Sequence, residues 1–519
     1  MPKQELFTRL QHGLHAMFAL GVDHSYMHLD SFINGRRVAS PASIDVISPI
    51  DGHTIVGSVA TASAGQVRDA LSAARTVGTF WSQIPAADRA RQLIDAIEDS
   101  AAIPDHSGQL IASEMGKPAQ DADGEFQFAR RLAAFCAANI EGICADRVID
   151  DDEGTLLRIV EPMGVVAAIT PWNAPVILAA LKVIPALMTG NTMVLKPSPL
   201  APLAVTAFYS AIAARLPDGV LNIVNGEGET GSALVESSDV DLISFTGGPT
   251  AARAIGAAAS RTIRPTVMEL GGNDAAILLD DAGWGPELAE RVVFGAMLTS
   301  GQVCMAIKRV YVPRERHDEF VADLVAAAGR VLRIGDPRLE GVTMGPVISA
   351  DARTRLEALR QRSVDAGGTV TELGSLDESV TPGGHWVRPA IVTGLSDADE
   401  LVREEQFGPI LPILAYDTVD EAIERANGVE HGLASSVWSV DIPRAQTVAR
   451  RLRAGFTFIN CANRAGVSLR APMGGRGVSG HGREFGDLGL SEYVQSHSIN
   501  YPATARVGSA MAANRYPGA

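Results

Sequence analysis

Cysteine is scarce in this chain. The four residues in 519, Cys136, Cys144, Cys304 and Cys461, form no CxxC pair and no dense framework. That argues against a structural zinc site and a disulfide scaffold, and it fits a reducing, cytoplasmic compartment. Basic charge is also short. Forty-four Lys and Arg face 60 Asp and Glu, a net charge of -16, which leaves no broad positive surface for a nucleic acid partner. The eleven His show no HExxH or similar ligand spacing, so no metal site is expected. Long apolar runs are missing too. Residues 174–195 are interrupted by Lys182, Pro185, Gly190 and Asn191; they read as a buried helix, a turn and a strand, not a membrane span. The amino-terminal piece GLHAMFALGV carries His15 and runs into DHSYMHLD, with no small-residue cleavage site, so it does not read as a secretory signal.

What is present is core material. Hydrophobic residues make up 46% and charged residues 20%, an ordinary globular composition long enough for two to four domains. From GVVAAIT onward, short continuous apolar runs alternate with helical patterns: NTMVLKPS, then PLAVTAFYSAIAARL; VDLISFTGG, then PTAARAIGAAAS. Strands buried on both faces and joined by helices predict a parallel, doubly wound sheet. A second series begins with AAILLD and, after a loop-rich middle, ends with ILPILAY, GLASSVWSV and FTFIN. The boundary falls near residues 269–272, where Gly271-Gly272 reads as a hinge. Residues 145–162 hold a polar turn between two extended runs, a hairpin projecting from the body.

Several short motifs carry chemistry, each with a plainer reading beside it. Cys304 in TSGQVCMAI is a nucleophile or a small apolar filler. Asn173 in ITPWNAP offers a rigid amide donor to an oxyanion, or only forms a turn. Glu269 in VMELGGN sits among apolar residues that would raise its pKa, as a base requires, or it is salt-bridged. Lys196 ends a strand, where a ribose, a phosphate or solvent would meet it. Gly247-Gly248 opens a helix and either admits a phosphate or makes an ordinary turn. EEQFGP, with Glu405 and Phe407, grips a ligand or is a surface loop.

Taken together and in order, the elements FINGRRV, EPMGVVAAITPWNAP, GNTMVLKPS, FTGG, MELGGN, SGQVCMAIKRVYVP, MGPVIS, EEQFGPILPI, HGLASSVWS and PMGGRGVSGHGRE make residues 32–494 resemble the NAD(P)-dependent aldehyde dehydrogenase superfamily, of the hydrolytic type. The resemblance implies an α/β fold of two doubly wound, Rossmann-like parallel-sheet domains with a small β oligomerisation arm. It divides the chain into an extension at 1–29, a cofactor-binding domain at 30–143 and 163–269, a catalytic domain at 270–485, an arm at 144–162 and 486–503, and a tail at 504–519. Cys304 matches the family thiol that attacks the aldehyde, Asn173 the oxyanion donor, Glu269 the base that hydrolyses the thioester, and Lys182 a lysine of the proton path. Thr170, Pro171, Trp172, Lys196, Ser198, Pro199, Phe245, Thr246, Gly247, Gly248, Leu270, Gly271, Glu405 and Phe407 match the cofactor site. Ala174, Leu181, Leu298, Val303, Met305 and Met473 match the substrate pocket, an aliphatic and thioether lining without aromatics.

Two departures bear on the cofactor. The acid that often follows Lys-Pro-Ser and holds the adenine ribose is Pro199 here, which opens the site to NADP, with NAD favoured. The serine of the pyrophosphate turn is absent, because Gly247-Gly248-Pro249 stands there. Arg464 and Arg470 are candidates to meet a substrate carboxylate, or are solvated. The partners implied are a small aldehyde and further copies of the chain, as a homodimer or homotetramer. The alternatives are a cysteine hydrolase or acyltransferase without nicotinamide, and a non-catalytic binding protein on the same scaffold.

Overall fold

The structure, a computed structural model, describes residues 27–100 and 107–503. The expected tail at 504–519 and most of the extension at 1–29 lie outside the described residues.

Two open sheets dominate. The first has eight strands in the order Gly480–His481, Thr266–Glu269, Leu242–Thr246, Val165–Ile169, Thr192–Lys196, Leu221–Ile223, Ser31–Ile33 and Arg36–Val38. The middle five are parallel. Their pattern follows from burial on both faces: Val166 and Ala168 enter one apolar cluster, Val165 and Ala167 the other. The edges add antiparallel strands to the expected parallel core. Gly480–His481 and the pair Ser31–Ile33 and Arg36–Val38 run antiparallel, and a two-residue edge strand has too little length to show a period in sequence.

The second sheet has seven strands, Thr369–Glu372, Ala390–Thr393, Ile410–Tyr416, Ile307–Pro313, Asp274–Leu278, Ala434–Trp438 and Phe456–Ile459. All neighbours are parallel except the first pair. Ala276 and Leu278 face one cluster, Ala275 and Ile277 the other. The loop-rich middle holds a 16-residue helix, Ala350–Asp365, started by Ser349, whose hydroxyl accepts from the Ala352 N–H at 3.1 Å. Only Leu356, Leu359 and Ser363 of this helix are buried, so its apolar stripe is too thin to stand out from its charged residues.

A separate three-stranded antiparallel sheet joins Arg147–Asp151, Gly154–Pro162 and Val494–Pro502. It is the projecting hairpin plus a carboxyl-terminal strand. Its outward residues include Val148, Ile149, Ile499 and Tyr501, all exposed. Among the described residues no helix is long and apolar enough to cross a membrane.

In the first sheet the chain moves from Val165–Ile169 outward through Thr192–Lys196 and Leu221–Ile223, then returns to the other side with Leu242–Thr246. Strand order therefore reverses between Val165–Ile169 and Leu242–Thr246. Open α/β sheets bind ligands beyond the carboxyl ends of strands at such a point.

Candidate active site

A cleft of about 650 Å³ opens at that reversal. Pro171, Trp172 and Asn173 enter it from the loop after Val165–Ile169, Thr246, Gly247 and Gly248 from the turn after Leu242–Thr246, and Leu270 and Gly271 from the segment joining the two sheets. The second sheet's side contributes Cys304, Glu405 and Phe407. Leu178 also lines the cleft. The sequence reading missed it, although it lies on the face of helix Pro175–Met188 between Ala174 and Leu181.

The turn presenting Cys304 is held tightly. Helix Pro286–Met297 is followed by a turn through Thr299, Ser300 and Gly301, with φ of 54°, 57° and 71°. Two non-glycine residues in the left-handed region are costly unless surrounding bonds impose them. Ser300 Oγ donates to Gly345 O at 2.8 Å, Gln302 Nε2 to Thr299 O at 3.1 Å, and the Ile348 N–H to Gln302 Oε1 at 3.0 Å. Asn173 Nδ2 donates to Gln302 O at 2.9 Å, which brings its amide to the backbone two residues before the thiol. Cys304 is half-buried on the cleft wall. Burial pushes its thiol up, and the carboxylates of Glu269, Glu405 and Asp274 push the same way against Lys308.

Glu269 is buried at the end of its strand and accepts from the Gly475 N–H at 3.3 Å. Burial raises its pKa well above the carboxylate range; the Glu484 charge adds to this and Lys182 opposes it. Lys182 is fully buried in helix Pro175–Met188, and its Nζ donates to Glu484 Oε1 at 2.8 Å. Glu125 Oε2 fixes that helix's first turn by accepting from the Val176 and Ile177 N–H groups. Glu484 received no role from the sequence, although it closes the motif PMGGRGVSGHGRE. A buried acid is indistinguishable from a surface acid until its lysine partner is seen.

Lys196, also buried, lies further along the same sheet edge, with half-buried Ser198 and Pro199. Its stem reaches the helix Gly228–Glu236: a Cβ on Gly231 would lie 3.7 Å from Lys196 Cε. Burial lowers Lys196 to about 8, against the raising charge of exposed Glu227, which precedes that helix. Glu405 Oε1 accepts from the Gly272 N–H at 3.0 Å. Phe407, at φ 44°, meets Trp172 edge-on at 5.6 Å. Thr170 and Phe245 stand behind the cleft wall and do not line it: both are buried, and the Phe245 ring lies where a Cβ on Gly247 would meet it at 2.5 Å.

Met473 is buried in a closely packed apolar cluster with Phe456, Phe458, Val467, Ala471 and Phe485. Three aromatic rings therefore stand beside a residue expected in an aliphatic lining. Met473 exchanges backbone hydrogen bonds with Glu484 at 2.8 and 2.7 Å, which ties this apolar region to the buried pair. Leu181 is buried, whereas Leu298, Val303 and Met305 are half-buried about the thiol turn. Arg464 pairs with Asp121 at 2.8 Å and lies over the Phe294 ring at 5.6 Å, and Arg470 is exposed.

Comparison with known proteins decides the lineage. A family model described as "Aldehyde dehydrogenase family" matches residues 37–499. The chain belongs to the aldehyde dehydrogenase family. It is 35% identical to 2-hydroxymuconic semialdehyde dehydrogenase of Pseudomonas putida, over 90% of this chain and 98% of that one. It is 33% identical to the chloroplastic betaine aldehyde dehydrogenase of Beta vulgaris, over 90% and 95%. A crystal structure of Staphylococcus aureus betaine aldehyde dehydrogenase in complex with NAD+ superimposes with a TM-score of 0.86 at 29% identity, covering 94% of this chain and 95% of that one. The aldehyde dehydrogenase activity is an NAD(P)-dependent oxidation of an aldehyde.

The cleft fits a nicotinamide dinucleotide on its own features. Thr246 Oγ1, on the cleft wall, is buried without a hydrogen-bond partner, and a Cβ on Gly248 would meet nothing within 4 Å. An unpaired hydroxyl and an open glycine beside the switch point suit a phosphate-bearing ligand.

Proposed function

We propose that the aldehyde is oxidised on Cys304 and released as the free carboxylic acid. The Cys304 thiolate bonds to the aldehyde carbon, and the carbonyl oxygen becomes an alkoxide stabilised by Asn173 Nδ2 and the Cys304 N–H. The nicotinamide, when bound, supplies the acceptor for the hydride lost from that carbon, which leaves a thioester on Cys304. Glu269 takes a proton from the water that attacks the thioester, and the thiolate leaves as the acid forms. Lys182 and Glu484, behind Glu269, carry that proton onward. Thr246, Gly247 and Gly248 hold the pyrophosphate, Lys196 the adenine ribose, and Glu405 the nicotinamide ribose beside Phe407. The observation that carries this reading is the joint placement of Cys304, Asn173 and Glu405 around one cleft at the strand-order reversal.

The substrate is a medium-sized apolar aldehyde, supported by Leu178, Leu181 and the Met473 cluster. Arg464 is committed to Asp121 and Phe294, which counts against a carboxylate-bearing substrate. NAD is favoured over NADP, because the Glu227 charge beside Lys196 takes up the role missing at Pro199. The test is initial rates for purified protein on an aldehyde panel with NAD and with NADP. Cys304→Ala should abolish turnover and leave cofactor binding intact; surviving turnover would sink the mechanism.

The chain works as a homodimer or homotetramer through its arm. The sheet of Arg147–Asp151, Gly154–Pro162 and Val494–Pro502 exposes Val148, Ile149, Ile499 and Tyr501, and exposed apolar strands are stable only when covered. Ile499→Lys should lower the mass measured by light scattering; an unchanged mass refutes the arm as interface. All four cysteines are free thiols, which supports a cytoplasmic site of action, to be checked by cell fractionation.

A further inference from the structure

A buried charge cluster lies behind the Cys304 turn, and the reaction as described gives it no task. Lys308 stands four residues after the thiol, in strand Ile307–Pro313, and is 1% exposed. Its Nζ donates to the carbonyl of Val303, the residue before the thiol, and lies 5.6 Å from the centre of the Phe407 ring. Asp274 closes on the same place from the start of its own strand. A Cβ on Gly272 would meet Asp274 Oδ1 at 2.6 Å and Cys304 O at 2.7 Å. Asp274 Oδ1 accepts from the Ala434 N–H at 3.1 Å. Its Oδ2 is buried without a partner, and Asp274 lies with Asn273, Arg309 and His431 about a narrow polar crevice.

We propose that Lys308 is a positioning residue for the nucleophile, its ammonium fixing the Val303 carbonyl and offsetting the negative charge that gathers around Cys304 when the thiol ionises. This rests on the reading of Cys304 as the attacking thiol. Three carboxylates act on that sulfur, Glu269, Glu405 and Asp274, and Lys308 is the cation that opposes them. A thiolate in a desolvated site needs such a cation. Lys308 can remain one although buried, because Glu405 and Asp274 counter the downward pull of desolvation on its pKa. Glu405 acts on Lys308 while lining the cofactor cleft, so the lysine links the cofactor side of the cleft to the thiol turn. Lys308→Arg keeps the charge and a donor, whereas Lys308→Met keeps only the stem.

The test is alkylation by iodoacetamide across pH in the full-length protein, read on the Cys304 peptide by mass spectrometry so that the other three cysteines do not enter. Lys308→Met should move the midpoint up by about one pH unit or more, about tenfold slower labelling near neutrality, and Lys308→Arg should restore most of it. A folded Lys308→Met protein with the wild-type midpoint overturns the proposal. Where Lys308→Met does not fold, Lys308→Gln, which keeps a donor for the Val303 carbonyl but no charge, decides, and a wild-type midpoint overturns the proposal. Turnover surviving Cys304→Ala would instead refute the reading of the thiol itself.

Discussion

Asn173→Ala separates chemistry from scaffolding at one residue. The side chain is 5% exposed, and one Nδ2 hydrogen is used on Gln302 O at 2.9 Å. An amide is planar, so that bond sets the direction of the second hydrogen. Deleting the side chain has two effects. The bond to Gln302 contributes about 0.5–1.5 kcal/mol to stability net of water, and its loss would loosen the turn of left-handed residues before the thiol. Loss of the oxyanion donor costs about 2.7–4 kcal/mol of transition-state stabilisation, or roughly 10²–10³ in kcat. The catalytic loss should therefore exceed the stability loss severalfold. The assay is kcat at saturating cofactor and aldehyde, with thermal unfolding and cofactor affinity measured on the same preparation. Asn173→Asp should be at least as slow, because a carboxylate cannot donate to an alkoxide. A kcat within about threefold of wild type, under about 0.7 kcal/mol, would refute the oxyanion assignment. Lost cofactor binding in step with lost kcat would show damage to the turn instead.

Glu269→Gln should leave acylation intact and slow hydrolysis by about 10²–10⁴, so rapid mixing should show a burst of reduced cofactor close to one per active site; no burst with kcat retained excludes Glu269 as the hydrolytic base. Glu484→Gln removes a charge that raises the Glu269 pKa, so the acid limb of the deacylation profile should move to lower pH; it also strands Lys182, costing about 3–5 kcal/mol of stability. An acid limb that stays in place would show that Glu484 does not act on the base. Glu227→Gln should raise the ratio of kcat/KM for NADP to that for NAD by about tenfold, the worth of one lost repulsion of about 1.4 kcal/mol; a ratio within twofold of wild type would remove Glu227 from cofactor choice.

The strands were legible because burial on both faces writes continuous apolar runs: Val165–Ile169, Thr192–Lys196 and Leu242–Thr246 each stand out between polar turns. The helix Ala350–Asp365 was not, because three buried positions in sixteen leave no stripe to read. Cys304, Asn173, Glu269 and Glu405 were singled out by motif order, not by residue type. Lys308, Asp274 and Glu484 were not legible, because each is an ordinary charged residue in sequence and its meaning comes from what the fold sets beside it: Asp274 meets Ala434, 160 residues on, and Glu484 meets Lys182, 302 residues back. Phe456, Phe458 and Phe485 escaped for a related reason: they are separated along the chain and meet only when the segment holding Met473 folds back on the strand Phe456–Ile459.

The pair Gly271-Gly272 serves the fold for a different physical reason from the one its sequence suggests. A hinge needs glycine for its freedom of backbone angle. Neither residue has positive φ, so that freedom is not what the structure uses. What it uses is the missing side chain: a Cβ at 271 would collide with Glu405 Oε2, and one at 272 would press on Asp274 Oδ1, Cys304 O and Leu433 Cβ. The carboxyl edge of the first sheet meets the amino edge of the second along these two residues, because Thr266–Glu269 ends just before them and Asp274–Leu278 begins just after. With no side chains between them, the two edges approach until Leu270 and Gly271 from one side and Cys304 and Glu405 from the other border one cleft. Adding even a methyl group there would push the Glu405 carboxylate or the Cys304 backbone out of place, so the same close approach that joins the two α/β lobes sets the spacing of the reacting groups.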